Sequence, residues 1–266
     1  MGAANRFAEP TQKPPPAGGF CVGAGKIRMG HESPNAPAAT SLLEVIVSSL
    51  EDALEAERGG AGRLEIVRNF ELGGLTPSFE TVREICQRVA IPVRVMLRCS
   101  ESHSPGPGEV ATLSQLAENL AALSVDGLVL GFLRKDQVDI AVTHQVLSRA
   151  PNLKATFHRA FDETAHPLAE IGRLKELRQI DRILTSGGGG PWETRAKRLE
   201  LYQQAAAPQV TILVGGGLDR VGIECLLSQT AQLREFHSGR GVRIPAEASG
   251  VVRAERVREL VACLHG

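Results

Sequence analysis

The stretch Leu42–Val67 reads LLEVIVSSLEDALEAERGGAGRLEIV, and its pattern recurs along the chain. It opens with an apolar run, Leu42–Val47, broken only by Glu44. An amphipathic segment, Ser49–Glu57, follows and stops at Gly59-Gly60. A second apolar run, Arg63–Val67, comes next. Short runs rich in β-branched residues predict strands, apolar positions three and four apart predict a helix, and glycine is a common stop just past a helix end. The stretch therefore predicts one strand–helix–strand unit.

Further apolar runs lie at Val93–Arg98, Gly127–Leu133, Ala155–Arg159, Arg182–Thr185, Thr211–Val214 and Glu235–His237. Helix candidates separate them at Phe79–Val89, Glu109–Leu123, Val138–Arg149, Pro167–Leu177, Trp192–Ala205 and Arg220–Leu227, with a last one at Arg253–Leu264. Ser78 is placed to cap the second helix, and Pro167 suits the first turn of its own. Strict alternation implies a parallel sheet with helices on its faces. An open doubly wound sheet would carry a glycine-rich first turn, where this chain has Ser48-Ser49. The fold predicted is an α/β, (β/α)8 TIM-type barrel over residues 41–266. The chain length of 266 residues is near the ~250 typical of that fold. Residues 1–40 are rich in Gly, Pro and Ala, show no apolar period, and are expected to form a disordered tail.

Thirty basic side chains balance thirty acidic ones, so no net positive field attracts nucleic acid or an anionic membrane. No apolar run approaches the ~20 residues that span a bilayer. The five cysteines are scattered and never spaced as CxxC, which fits neither a disulfide framework nor a zinc site. A reducing, cytoplasmic setting is the simplest expectation.

Reactive groups in such barrels sit at the C-terminal strand ends. The polar residues there are Glu44, Glu65, Arg98, the segment Thr156-Phe157-His158-Arg159-Ala160-Phe161-Asp162, and Glu235 with His237. Side chains two apart on a strand share a face, and the outer face meets apolar helices, so the polar set should face the lumen. Arg98 is expected to offset Glu44 and Glu65, leaving His158 and His237 free to exchange protons near neutral pH. Arg94 lies deeper and reads as structural. Glycines follow several strands, at Gly187–Gly190, Gly215–Gly217, Gly239 and Gly241. They suit a phosphate site made by backbone N–H groups, or simply tight turns.

Gly73-Gly74-Leu75-Thr76-Pro77-Ser78, Thr156–Asp162, Arg182-Ile183-Leu184-Thr185-Ser186-Gly187 and Glu235-Phe236-His237 resemble the hallmark segments of the CutC family. The resemblance runs from Leu42 to Leu264. It implies a cytosolic TIM-type barrel, often a homo-oligomer, linked by name to copper homeostasis and to a copper ion as ligand. The site residues it implies are Glu44, Glu65, Arg98, His158, Arg159, Asp162 and His237. Two departures stand out. The family's Arg-Pro-Arg-Gly-Gly-Asp-Phe segment after the third strand is replaced by Arg98-Cys99-Ser100-Glu101-Ser102-His103-Ser104. Where the family often places cysteine, in its first two strands, this chain has Val45, Ile46, Val47 and Val67. Only Cys99 remains at a strand end as a sulfur ligand for Cu(I). Three readings stay open: a copper-binding or tolerance protein, an enzyme acting on a small and in one version phosphorylated metabolite, and a divergent member without the family's site.

Overall fold

The computed structural model describes residues 41–265. The tail expected over residues 1–40 lies outside them. Eight parallel strands close into a barrel: β1 (Leu42–Val47), β2 (Arg63–Ile66), β3 (Val93–Met96), β4 (Gly127–Leu130), β5 (Lys154–Phe157), β6 (Ile180–Thr185), β7 (Thr211–Val214) and β8 (Glu235–Ser238). Each pairs with its neighbours in chain order, and β8 closes on β1. This is the (β/α)8 TIM-type barrel that the alternation predicts.

The helices are α1 (Leu50–Arg58), α2 (Phe79–Arg88), α3 (Pro107–Ala121), α4 (Ile140–Leu147), α5 (Pro167–Leu174), α6 (Trp192–Ala206), α7 (Arg220–Gln229) and α8 (Ala254–His265). Local chemistry fixes several starts. The side chains of Ser49, Ser78, Asp139 and Asp219 each accept a backbone N–H from the first turn of the helix that follows, and Pro167 opens α5. Gly60, at φ 94°, takes the left-handed turn that ends α1.

Strand alternation divides the barrel as expected. Leu43, Val45 and Val47 face outward and join Leu64, Ile66, Val95 and the helix residues in one large apolar core. The opposite parity faces the lumen. There a small separate apolar cluster of Ile46, Val67, Met96 and Val129 lies among charged residues. The lumen is therefore mostly polar, and its charges must be paired.

Four strands end short of the predicted limits: β2 at Ile66, β3 at Met96, β4 at Leu130 and β5 at Phe157. The run Gly127–Leu133 is strand only to Leu130, and Leu133-Arg134 pairs antiparallel with Gln137-Val138 as a separate hairpin. Phe132 and Leu133 are apolar because they enter the outer core, not because the strand continues. The third strand ends at Met96. The backbone N–H of Arg98 donates to Oγ1 of Thr76 at 2.8 Å, and its carbonyl accepts the N–H of Thr76 at 2.9 Å. The chain there pairs with the loop after β2.

Candidate functional site

The lumen is built in three tiers. The lowest is a ring of ion pairs at the N-terminal end. Arg94 bonds both oxygens of Asp181, at 2.7 and 2.8 Å, together with Asp126 at 2.9 Å and the Thr156 hydroxyl at 2.8 Å. Arg182 holds Glu235 through two bonds, at 2.6 and 2.9 Å, and Arg63 reaches the same carboxylate at 2.7 Å. Every charge in the ring has a partner, and Arg94 is buried and fully engaged within it.

The middle tier joins β8, β1 and β2. The barrel register sets His237 beside Glu44, and Glu44 beside Arg63. Nδ1 of His237 lies 2.8 Å from Oε1 of Glu44, while Arg63 Nε donates to the other oxygen. Nε2 of His237 lies 3.5 Å from Oε2 of Glu65. All three members of this triad are buried. Burial alone would raise the Glu44 carboxyl, but Arg63 and His237 together hold it well below the usual carboxylate range. Glu65 has no such cation bound directly. Burial, reinforced by the Glu44 charge and opposed by His237, pushes its carboxyl up to about 7. His237 is raised: burial opposes its charge, but the bond to Glu44 and the charges of both acids win.

The upper tier is a cavity of about 650 Å³ that opens at the C-terminal ends of the strands. Glu65 and His237 reach it from below, and Arg98, His103, His158 and Arg159 line it above. The loops after β7 and β8 contribute Gly216, Gly217, Gly239 and Arg240. Arg195, stacked 3.5 Å from the centre of the Trp192 ring, ties the loop after β6 to the loop after β7. It donates to the Ser186 carbonyl at 2.6 Å and to the Gly215 carbonyl at 3.0 Å. At Gly216 a side chain would meet the Ser186 Cβ at 2.6 Å, at φ 80°, so the close approach requires glycine.

Of the sequence-derived residues, Glu65, Arg98, His158, Arg159, Asp162 and His237 line one cavity. Glu44 does not; it sits one tier lower, against His237. Asp162 is occupied in tying β5 to the turn after β6, by bonds from the Thr185 hydroxyl and the Ser186 N–H and by an ion pair with Arg159 at 3.1 Å. Arg98 does not offset the two acids. It donates to the Glu101 carbonyl, and Arg63 takes the assigned role. Arg63 is not among the sequence-derived site residues, although its parity with Glu65 on β2 carries the signal. His158 also departs from expectation. Burial, then the neighbouring His103 and Arg98, push its imidazole well below the ordinary range, so it is neutral and not poised to titrate near pH 7.

Among the described residues, only Glu44, Glu65 and His237 bring three potential metal-ligand atoms within 4.8 Å of one another. Their donors are two carboxylates and one imidazole. Cys99 is not in the group; its half-buried thiol is pushed up by burial and by Glu109. No helix among the described residues is long and apolar enough to cross a membrane.

Residues 41–242 match the model of the CutC family. The chain is 34% identical over 209 residues to a CutC family protein of Salmonella agona, covering 77% of this chain and 82% of that one. It is 36% identical over 203 residues to one of Xanthomonas axonopodis pv. citri, covering 75% and 84%. A crystal structure of a Streptococcus agalactiae CutC, named for copper homeostasis, superposes with a TM-score of 0.69 at 26% identity, over 75% of this chain and 98% of that one. Thiamine phosphate pyrophosphorylase of Pyrococcus furiosus, at TM-score 0.52 and 18% identity over 84% and 95%, shares the fold alone. On the family model and on these relatives together, the chain belongs to the CutC family, the family named for copper homeostasis.

Proposed function

We propose that this protein is an enzyme that moves a proton on a small anionic metabolite held at the barrel mouth, with Glu65 as the group that takes and returns it. The observation that carries the reading is the contrast within the buried triad. Glu44 is ionised at every physiological pH, whereas Glu65, against the cavity, is pushed up to about 7. An acid or base works best when its pKa lies near the working pH, and two carboxyls with diverging environments mark the division of roles. His237 lies between them and passes charge from one to the other. Glu71, Asp162, Glu163 and Asp219 line the rim as well as Arg98, Arg159 and Arg240, and the three arginines are the groups that would hold an anionic ligand. The mechanism needs only side chains of this chain: rim cations orient the anion, Glu65 exchanges the proton, and Glu44 with Arg63 keeps His237 oriented.

Copper as a cargo ion is the second reading, favoured by the family's name and by the Glu44–Glu65–His237 group. The donor chemistry does not fit Cu(I), which selects sulfur. The imidazole nitrogens already face the carboxylates of Glu44 and Glu65, at 2.8 and 3.5 Å. A cytoplasmic location is supported by the described cysteines, all of which are free. Assembly as a homo-oligomer is proposed from the family resemblance.

The test is solvent exchange. The protein would be incubated in deuterated buffer with a panel of small carboxylates and phosphate esters, and deuterium uptake read by NMR. Uptake at one carbon of a panel member, lost in Glu65→Gln, is the expected result. No uptake across the panel, or uptake that survives Glu65→Gln, contradicts the reading.

A further inference from the structure

The mouth holds a second buried imidazole that the proton-transfer role of Glu65 does not use. His158 follows β5 and caps the short 3-10 turn Arg159–Glu163. Its own N–H donates to the Leu130 carbonyl at 2.7 Å, which fixes the backbone at the strand end. The N–H of Ala160 donates to its Nδ1 at 3.1 Å. A ring nitrogen that accepts a backbone N–H carries no proton, so the ring proton of a neutral His158 sits on Nε2. The donor belongs to the turn that His158 itself starts, so the tautomer is built into the local fold.

The ring is also held in place. Gly131 passes so close that a side chain there would lie 2.4 Å from Nδ1. With Nδ1 turned to the backbone, Nε2 has no hydrogen-bond partner among the described residues, and His158 lines the cavity. The charged and titratable groups around it are Arg98, Arg159 and His103, whose ring centre is 5.1 Å away. His103 is itself engaged with Glu163 at 3.2 Å. Among the described residues no carboxylate forms a hydrogen bond or ion pair with the His158 ring. The two imidazoles of one cavity thus have opposite surroundings: His237 between acids, His158 among cations.

We propose that His158 is a neutral Nε2–H donor that holds a carbonyl oxygen of the substrate, which is therefore a small carbonyl compound bearing an anionic group. This rests on Glu65 as the proton-transfer group. The Glu65 carboxylate takes a proton from the carbon beside the carbonyl. The C–H electron pair becomes the new C=C bond, and the carbonyl π pair moves onto oxygen. The Nε2–H stays on His158 and hydrogen-bonds the resulting oxyanion, a preorganised donor where charge develops. Return of a proton from Glu65 to the same face of that carbon restores the carbonyl compound, with its hydrogen exchanged for one from solvent. Nothing is oxidised, and no co-reactant is consumed.

Two measurements on the full chain test this. In the first, ring-nitrogen NMR of the histidine-labelled protein is followed from pH 5.5 to 8. His158 is expected to keep the neutral Nε2–H pattern throughout. A protonated His158 within that range, or a proton on Nδ1, overturns the proposal. In the second, phosphoglycolate is the probe, its carboxylate standing in for the enolate oxygens. It is expected to shift the His158 Nε2 signal and to bind roughly 10- to 100-fold more weakly to His158→Ala, the worth of one hydrogen bond to a charged group. His158→Asn, which keeps a donor, should recover part of the loss, and inorganic phosphate should not distinguish the variants. Equal phosphoglycolate binding by wild type and His158→Ala, or no binding at all, overturns it. The nitrogen spectra read His158 alone, so failure of the Glu65 role would appear separately, as a missing solvent exchange with these spectra unchanged.

Discussion

Nδ1 of His237 lies 2.8 Å from Oε1 of Glu44 across the seam where the last barrel strand meets the first. The contact exists only because the barrel closes, since the two residues are adjacent in register and at opposite ends of the folded chain. With Arg63 it makes Glu44 a fixed anion, and it makes His237 a bridge to Glu65.

Stability should depend on pH through Glu65. Its folded carboxyl is raised to about 7 from 4.5, so between those values the unfolded chain gives up a proton that the folded chain keeps. The stability tied to this group is full below about pH 4.5 and is lost as pH rises through about 7, on the order of 3 kcal/mol in all. Glu65→Gln cannot ionise and should therefore melt above the wild type at pH 8 and close to it at pH 4.5. Thermal melts at both values check this; an equal or lower melting temperature for Glu65→Gln at pH 8 would count against it.

Removing Arg63 should be costly. Its guanidinium bonds both Glu44 and Glu235 and is itself buried. Arg63→Met leaves one fully buried carboxylate without its cation, and breaking a buried pair on one side costs about 3–5 kcal/mol. Urea denaturation gives the value. The variant should also recover stability at low pH relative to wild type, because Glu44 can then be protonated cheaply.

The barrel was legible in the sequence because parallel strands and their helices have different apolar periods, and that difference survives in single runs such as Leu42–Val47. Most of the mouth was legible too, since parity alone puts Glu65 and His237 in the lumen. What did not read was pairing. Whether Arg98 or Arg63 answers Glu44 depends on strand register and on where β3 stops, and neither is written in local periodicity. The neutrality of His158 was equally hidden, because it depends on the Ala160 N–H and on the cations that the loops after β3 and β5 bring near. Cys99 drew attention as a lone sulfur at an apparent strand end, yet the strand stops at Met96 and Cys99 has no sulfur or imidazole partner in the metal-capable group.

Copper binding should be weak in consequence. A competition titration against a Cu(I) chelator should show low affinity, and Cys99→Ser should remove most of what remains. Tight binding unchanged in Cys99→Ser would place copper elsewhere and restore the cargo reading.

Gly131 should matter for ligand binding more than for folding. A methyl group there meets the His158 ring at Nδ1 and Cε1, so Gly131→Ala must displace the imidazole from its bond to Ala160. Phosphoglycolate should bind Gly131→Ala about tenfold more weakly or worse, as expected for loss of one hydrogen bond to a charged group. The barrel's circular dichroism should be retained. Unchanged affinity would show that the ring position is not needed.

The division of roles between Glu44 and Glu65 is tested by titrating Glu65 itself, read from side-chain carboxyl carbons in the NMR spectrum of the labelled protein and assigned with Glu65→Gln. The expected midpoint is near 7, with Glu44 remaining ionised to the acid end of the range. A Glu65 midpoint at the ordinary carboxylate value of about 4.3 would contradict this, because the triad would then hold two permanent anions and no group poised to exchange a proton.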